Sequence, residues 1–376
     1  MAIPSSSNRG VLGRIGATQG AGAATSVVGQ STGPAFVTAS GIPPLGWLGI
    51  FNTGRYLTFL DSGTFTAPVS GYYRVRVLGA GGSGATISGT MKRATGGGGG
   101  GYSMGTIWLT QGQSIPVTVG KGGVWSGDGQ PGSVGGTSTF GAYISATGGA
   151  GGLCADAAKA VAGALGGVGT GGSLINANGG KSGSIDANAG YSASGGGGAG
   201  SQLGHGGDSG SISGGASNNN AATGGGGVGG ATSASIIRGS EQATGGAGVA
   251  SASTALLGGF DLLSVGANLN INGTVNSSSA AFRFPGDGFA GGGGGPNYHT
   301  TSNGGIGGTG AGGGATIASN GTCTSGAGGV FGGAGAAASA NATIAPKPGF
   351  GGGGGGAACN GGGQSTGGDG LIVVEW

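Results

Sequence analysis

Apolar and polar positions alternate in a few short stretches of this chain. Tyr73, Val75 and Val77 interleave with Tyr72, Arg74 and Arg76, a period of two that gives a strand one buried and one wetter face. Tyr102, Met104, Thr106 and Trp108 form a second run, with Ile107 and Leu109 between. Gln111-Gly112-Gln113 then leads into Ile115, Val117 and Val119, the pattern of a hairpin. Thr139, Phe140, Tyr143 and Ile144 predict a further strand. Leu371-Ile372-Val373-Val374 is apolar on both faces and so belongs in a central or covered position. This last strand follows the others by more than 200 residues. The pattern predicts a β-unit, 63–147 plus 370–376, whose two parts bracket a long insertion, 148–369. Residues 1–62 form a separate amino-terminal arm: small polar residues, then an uncharged apolar cluster of Ile42, Leu45, Trp47, Leu48, Ile50 and Phe51. A small-residue arm ending in an apolar plug suits docking onto another protein.

Composition explains the insertion. Glycine supplies 109 of 376 residues, roughly four times the ordinary ~7%. It is concentrated after residue 70, with 12 glycines before that point and 97 beyond it. A helical protein is excluded, because each interior glycine costs ~1 kcal/mol relative to alanine. With 11 prolines and no strict third-residue register, collagen is excluded too. Glycine has no side chain to bury, so apolar burial does not offset the cost of ordering it, ~1–2 kcal/mol per residue. Extended polyproline-II-type helices, three residues per turn, offer a solution. Bare glycine faces let such helices approach and exchange N–H···O=C bonds, with Cα–H···O contacts as weak additions. Runs at 96–101, 195–198, 224–227, 291–295 and 351–356 are the expected rods, and the segments between them the surface loops. The expected fold class is therefore all-β: a small antiparallel β-sandwich carrying a polyglycine-II body, with no significant α-helix.

Charge and chemistry narrow the function classes. Charged residues make up 6% and the formal net charge is +3, against ~25% charged in an ordinary domain. No basic patch forms, which argues against a nucleic-acid partner. No apolar run approaches the ~20 residues that cross a bilayer, and the opening residues lack the layout of a signal peptide. Cys154, Cys323 and Cys359 are widely spaced without a CxxC pair, so they read as buried or incidental thiols, with no metal site or cofactor expected. G-x-G-x-x-G matches carry little weight in so glycine-rich a chain. Gly179-Gly180-Lys181-Ser182 mimics the end of a phosphate-binding loop, but Ile175 stands where its first glycine is required. His205 and His299 read as exposed or contact residues, and ten scattered acidic residues nominate no carboxylate pair. The sequence therefore predicts a protein that is not an enzyme.

Four blocks, in order, carry a resemblance. Gly63-Thr64-Phe65-Thr66-Ala67-Pro68 leads into Tyr73-Arg74-Val75-Arg76-Val77-Leu78-Gly79-Ala80-Gly81-Gly82. The glycines at 97–101 run into Tyr102, followed by Gln111-Gly112-Gln113-Ser114-Ile115-Pro116-Val117-Thr118-Val119-Gly120. Next come Gly135-Gly136-Thr137-Ser138-Thr139-Phe140-Gly141 and Ser145-Ala146-Thr147-Gly148-Gly149. The close is Gly368-Asp369-Gly370-Leu371-Ile372-Val373-Val374-Glu375-Trp376. Together they resemble the glycine-rich domains of bacteriophage tail-fibre and tail-tip proteins over 63–376. The resemblance implies a virion protein of the polyglycine-II adhesin kind, made in the cytoplasm of a bacterial host. Its loops would bind a host cell-surface protein or polysaccharide. The arm would dock other virion tail proteins through Ile42, Leu45, Trp47, Leu48, Ile50 and Phe51, and a homotrimer is compatible with that arm. Candidate receptor contacts are the amide and aromatic residues that rod packing explains least: Tyr191, Asn218, Asn219, Asn220, Phe282, Arg283, Phe284, Asn297, Tyr298 and His299. The alternative is a purely structural virion component, such as a fibre stem, cap or decoration protein.

Overall fold

The computed structural model describes residues 56–89, 92–156, 159–187, 191–214, 220–230, 232–233, 235–237, 242–244, 246–247, 275–276, 302–304, 306–307, 310, 312–318, 323–339, 348–359 and 364–376. Among these residues the fold is all-β, with no helix.

Two antiparallel sheets face each other. The front sheet has the order Tyr56–Phe59, Leu371–Glu375, Gly71–Leu78, Tyr102–Leu109, Ile175–Ala177. The back sheet has the order Gly169–Thr170, Ile144–Ala146, Ser138–Phe140, Ser114–Thr118, Gly63–Thr66. Alternation decides what lies between them: Tyr73, Val75 and Val77 from the front sheet meet Phe65, Ile115, Val117 and Phe140 from the back, as aligned sheets require. Phe65 packs edge-on against Tyr73, ring centroids 5.5 Å apart. The carboxy-terminal strand sits between two partners in the front sheet and is largely buried, the position its two-sided apolarity demands. The sandwich also draws on sequence outside 63–147, since Tyr56–Phe59, Gly169–Thr170 and Ile175–Ala177 are among its strands.

One connection differs from the sequence pattern. The expected hairpin through Gln111–Gln113 is instead an arch between sheets: Tyr102–Leu109 pairs with Gly71–Leu78, and Ser114–Thr118 pairs with Gly63–Thr66. Gly112, at φ +81°, and the Gln113 N–H donating to the Thr110 carbonyl at 2.9 Å make the turn. Leu109 and Ile115 both enter the same core, and that shared burial folds one strand over the other rather than beside it.

From the sandwich the chain runs out and back as extended rods. The run 97–101 defines their packing. The N–H groups of Gly97 and Gly100 donate to Gly354 and Gly351, and those of Gly98 and Gly101 to Ala150 and Thr147. Gly99 donates to Gly180. Carbonyls follow the same rule: Gly97 and Gly100 accept from Gly197 and Gly200, Gly98 and Gly101 from Gly82 and Gly79, and Gly99 from Gly167. All these bonds measure 2.7–3.0 Å. Residues three apart thus address the same neighbour, and six segments surround one rod, the geometry of a three-residue helix with radial hydrogen bonding. Burial along 161–168 repeats with the same period: Val161, Ala164 and Gly167 are buried, while Ala162, Leu165 and Val168 are exposed. The requirement for glycine is steric. A Cβ on Gly99 would lie 2.0 Å from the Gly198 carbonyl oxygen.

Away from the sandwich the rods end in two small sheets with parallel centres, the first edged by antiparallel Cys154–Asp156 and Val275–Asn276. One pairs Lys92–Ala94, Ser192–Ala193, Ala221–Ala222 and Gln242–Ala243; the other pairs Thr86–Ile87, Ala357–Cys359, Ala337–Ser339 and Thr316–Ala318. Their facing side chains are almost all alanine, with Ile87 and Ile317, so the sheets close around methyl groups. At the sandwich end the rods reverse in tight turns. Phe331 occupies one at φ +71°, an unfavourable angle for a non-glycine residue. Its ring is packed against Leu78, Tyr102, Ala177 and Ala199.

Candidate functional site

The alternation of outgoing and returning rods gathers connections at the end opposite the sandwich. A short motif recurs there in the returning rods: Ala94-Thr95-Gly96-Gly97, Ala193-Ser194-Gly195-Gly196, Ala222-Thr223-Gly224-Gly225 and Ala243-Thr244-Gly245-Gly246. The four alanines are aligned by parallel pairing. The hydroxyls of the last three copies each serve the preceding one: Gly96 N–H donates to Ser194 Oγ (3.4 Å), Gly195 to Thr223 Oγ1 (3.4 Å) and Gly224 to Thr244 Oγ1 (2.9 Å). Thr223 Oγ1 also donates to the Gly210 carbonyl at 2.6 Å. These hydroxyls satisfy buried amides where the chain leaves rod geometry for strand geometry. The motif is legible in the sequence as Ala-[Ser/Thr]-Gly-Gly, but four residues at irregular spacing are submerged in so much glycine and alanine.

One flank of the bundle is capped by side chains in the same manner. Asn178, Lys181 and Ser184 face solvent at three-residue spacing. Their N–H groups donate to His205 Nδ1 (2.9 Å), Asp208 Oδ1 (2.7 Å) and Ser211 Oγ (3.1 Å), and Ser211 N–H donates to Ser235 Oγ (3.0 Å). An outer rod lacks a neighbouring carbonyl on this side, and the polar side chains of the next segment replace it. His205 is thereby occupied as an acceptor, with its hydrogen on Nε2.

Several described connections at the far end are tied down. Arg93 is fully buried and its Nη1 donates to the carbonyls of Asp156 (2.9 Å) and Lys159 (3.2 Å), fixing that turn from beneath. Above it Lys92 pairs with Asp156, and this hydrogen bond holds the Asp156 carboxyl below the usual carboxylate range. Burial pushes the Cys154 thiol up, away from the reactive thiolate form. Trp125 Nε1 donates to Thr86 Oγ1 at 2.6 Å, and Ser88 Oγ donates to Asp128, so the 124–131 loop joins this end. Its membership was missed because 120–136 reads as part of the β-unit.

Of the ten candidate contact residues, two lie among the described residues, and the fold brings them together. Tyr191 is partly buried against the alanine core, and its N–H donates to Asn220 Oδ1 at 3.4 Å. Its carbonyl accepts from Ala221 N–H at 2.9 Å, and Asn220 is only 7% exposed. Both therefore help join adjacent returning rods. Asn218, Asn219, Phe282, Arg283, Phe284, Asn297, Tyr298 and His299 lie outside the described residues. So do the candidate docking residues Ile42, Leu45, Trp47, Leu48, Ile50 and Phe51.

What this end offers chemically is a surface of loops on a cross-bonded base. Among the described residues no three His, Cys, Asp or Glu side chains come together, and no helix is long and apolar enough to cross a membrane. The sequence matches no protein-family model and no curated protein.

Proposed function

We propose that the chain is a bacteriophage tail-fibre or tail-tip adhesin. Its arm, 1–62, holds it to other tail proteins of the virion, and its loops bind a host cell-surface protein or polysaccharide without chemical turnover. One observation carries the proposal: the described residues that flank these loops, Lys92–Ala94, Cys154–Asp156, Val161, Ile185, Ser192–Ala193, Ile212 and Ala221–Ala222, share one end of the bundle, opposite the sandwich. Rods bonded to as many as six neighbours give the described residues at this end a cross-bonded base, which binding would not have to order. The resemblance of the four β-blocks to phage tail proteins supplies the biological setting. Competition tests it: purified chain added to host cells should reduce adsorption of the phage that carries this protein. Undiminished adsorption at saturating protein would overturn the proposal.

A second reading, a structural virion component acting as a stiff spacer, is favoured by Tyr191 and Asn220, both engaged within the bundle. On that reading the purified chain neither competes for adsorption nor binds cells, while its loss still prevents particle assembly.

A further inference from the structure

One outer face of the bundle is apolar and uncharged. The rods 131–137, 147–153 and 162–168 lie side by side there. Behind them are 79–84 and 96–101, joined by bonds such as Gly149 N–H to the Ala80 carbonyl and Gly167 N–H to that of Gly99, 2.9 and 2.8 Å. Hydrogen bonds also fix the levels of the rods. Thr147 and Ala150 N–H donate to the Val168 and Leu165 carbonyls at 2.9 and 2.8 Å, and Thr95 Oγ1 donates to the Leu153 and Ala162 carbonyls at 3.3 and 3.4 Å. Each level therefore sets one outward residue of 147–153 beside one of 162–168. Ala150 is half-buried and the other five are exposed, Leu165 to 61%. Val134, on the neighbouring rod, is 66% exposed. Neither 131–153 nor 161–168 holds a charged residue.

Large and small side chains alternate over this face. Small Ala150 stands beside large Leu165, and at the next level large Leu153 stands beside small Ala162. Thr147 and Val168, similar in size, share the level nearest the sandwich. A half-turn about an axis parallel to the rods, midway between 147–153 and 162–168, lays each residue over the level partner of a second copy. Leu165 then meets Ala150, Leu153 meets Ala162, and Val168 meets Thr147. Large facing small is the condition for two layers to interdigitate, and every contact occurs twice, as an isologous interface requires. An uncharged face offers nothing to select an ionic partner, whereas its own copy matches it in shape and in charge.

We propose that this face pairs reversibly with the same face of a second copy, the two bundles parallel and both sandwiches at one end. Area sets the strength of the pairing. Three rods about 4.8 Å apart and six steps of about 3.1 Å outline roughly 14 Å by 19 Å, well below the ~800 Å² per partner of a stable interface. Such a dimer forms as concentration rises and comes apart on dilution. Its symmetry leaves both far ends facing the same way. This inference does not depend on the adhesin reading and is tested without host cells.

The experiment is sedimentation of the full chain over a range of concentrations. Its average mass should rise with concentration towards two copies and no further. Leu165→Asp, at an exposed site, should weaken the association severalfold. Ala150→Leu sets large against large and should weaken it as well. The double variant Ala150→Leu/Leu165→Ala exchanges large and small but keeps their match, and should restore most of the association. Thermal melts check that each variant folds, and the native series decides by itself if one does not. A native chain that stays a single copy at every concentration, leaving the face to a different partner, would overturn the proposal. So would association that Leu165→Asp leaves unchanged, that grows beyond two copies, or that the folded double variant does not recover.

Discussion

Arg74 donates from Nε to Glu375 Oε2 at 2.6 Å, across 301 residues of sequence. Arg76 Nη2 reaches the same carboxylate oxygen at 3.0 Å. Glu375 is 4% exposed at its side chain and each arginine about an eighth to a seventh, so the group is shielded from water. Breaking a buried ion pair leaves the partner charge uncompensated, at a cost of about 3 kcal/mol or more. Glu375→Ala should therefore lower unfolding free energy in urea by about that amount. A change within ~0.5 kcal/mol, typical of a surface site, would contradict this view of the pair.

Glycine in the bundle and glycine in the sandwich should respond oppositely to the same substitution. Gly99→Ala places a methyl carbon 2.0 Å from the Gly198 carbonyl oxygen, and rods cannot separate without losing hydrogen bonds. About 3 kcal/mol or more should be lost. At Gly71 a Cβ meets nothing within 4 Å. Gly71→Ala should be neutral or stabilise by about 0.4–1 kcal/mol through the unfolded chain. Thermal melts of the two variants, side by side, check the contrast.

The hydroxyl ladder makes an isosteric test possible. Thr223 is fully buried, and its Oγ1 accepts from Gly195 N–H and donates to the Gly210 carbonyl. Thr223→Val keeps the shape but strands the buried Gly195 N–H and leaves the Gly210 carbonyl, among the described residues, only its bond from Ser209 Oγ at 3.3 Å, and should cost about 2 kcal/mol. Thr64→Val, on the exposed face of Gly63–Thr66, should change stability by less than ~0.5 kcal/mol. Equal effects in denaturant unfolding would remove the ladder from the account.

Alkaline pH tests the junction between sandwich and bundle. Burial pushes the Tyr102 phenol up to about 12, and among the described residues its hydroxyl reaches only Met104 Sδ, at 3.7 Å. The folded protein holds this proton more tightly than the unfolded chain, whose tyrosines titrate near ~10. The contribution is thus fully present below pH ~10 and is lost as pH rises towards about 12, a swing of about 2–3 kcal/mol. Tyr102→Phe should flatten the fall in melting temperature over this window. An unaltered slope would contradict the assignment.

Much of the fold is legible in the residues. Tyr73, Val75 and Val77 specify a core face by their spacing, and Leu371 to Val374 announce a central strand. Pattern alone does not tell a hairpin from an arch. Leu109 and Ile115 look the same in either, and the difference lies in the partners of the two strands, Gly71–Leu78 in one sheet and Gly63–Thr66 in the other. The far end was less legible. Tyr191 and Asn220 stand out in the sequence as unexplained polar and aromatic residues, yet they pair internally because parallel returning rods bring their neighbours Ser192 and Ala221 into register. Loop 124–131 was hidden for a similar reason, since only folding carries it to Thr86.

By itself the sequence determined the local geometry. So much glycine with so little charge rules out helix and favours extended rods, because only bare backbones can approach closely enough to exchange hydrogen bonds. Which rods meet was decided by tertiary structure alone. Gly97, Gly98 and Gly99 are chemically identical, yet their N–H groups donate to Gly354, Ala150 and Gly180. Glycine carries no side chain to encode a partner. Selection falls to the elements at the rod ends, the sandwich strands at one end and the alanine–hydroxyl sheets at the other, which set the register that the rods then follow.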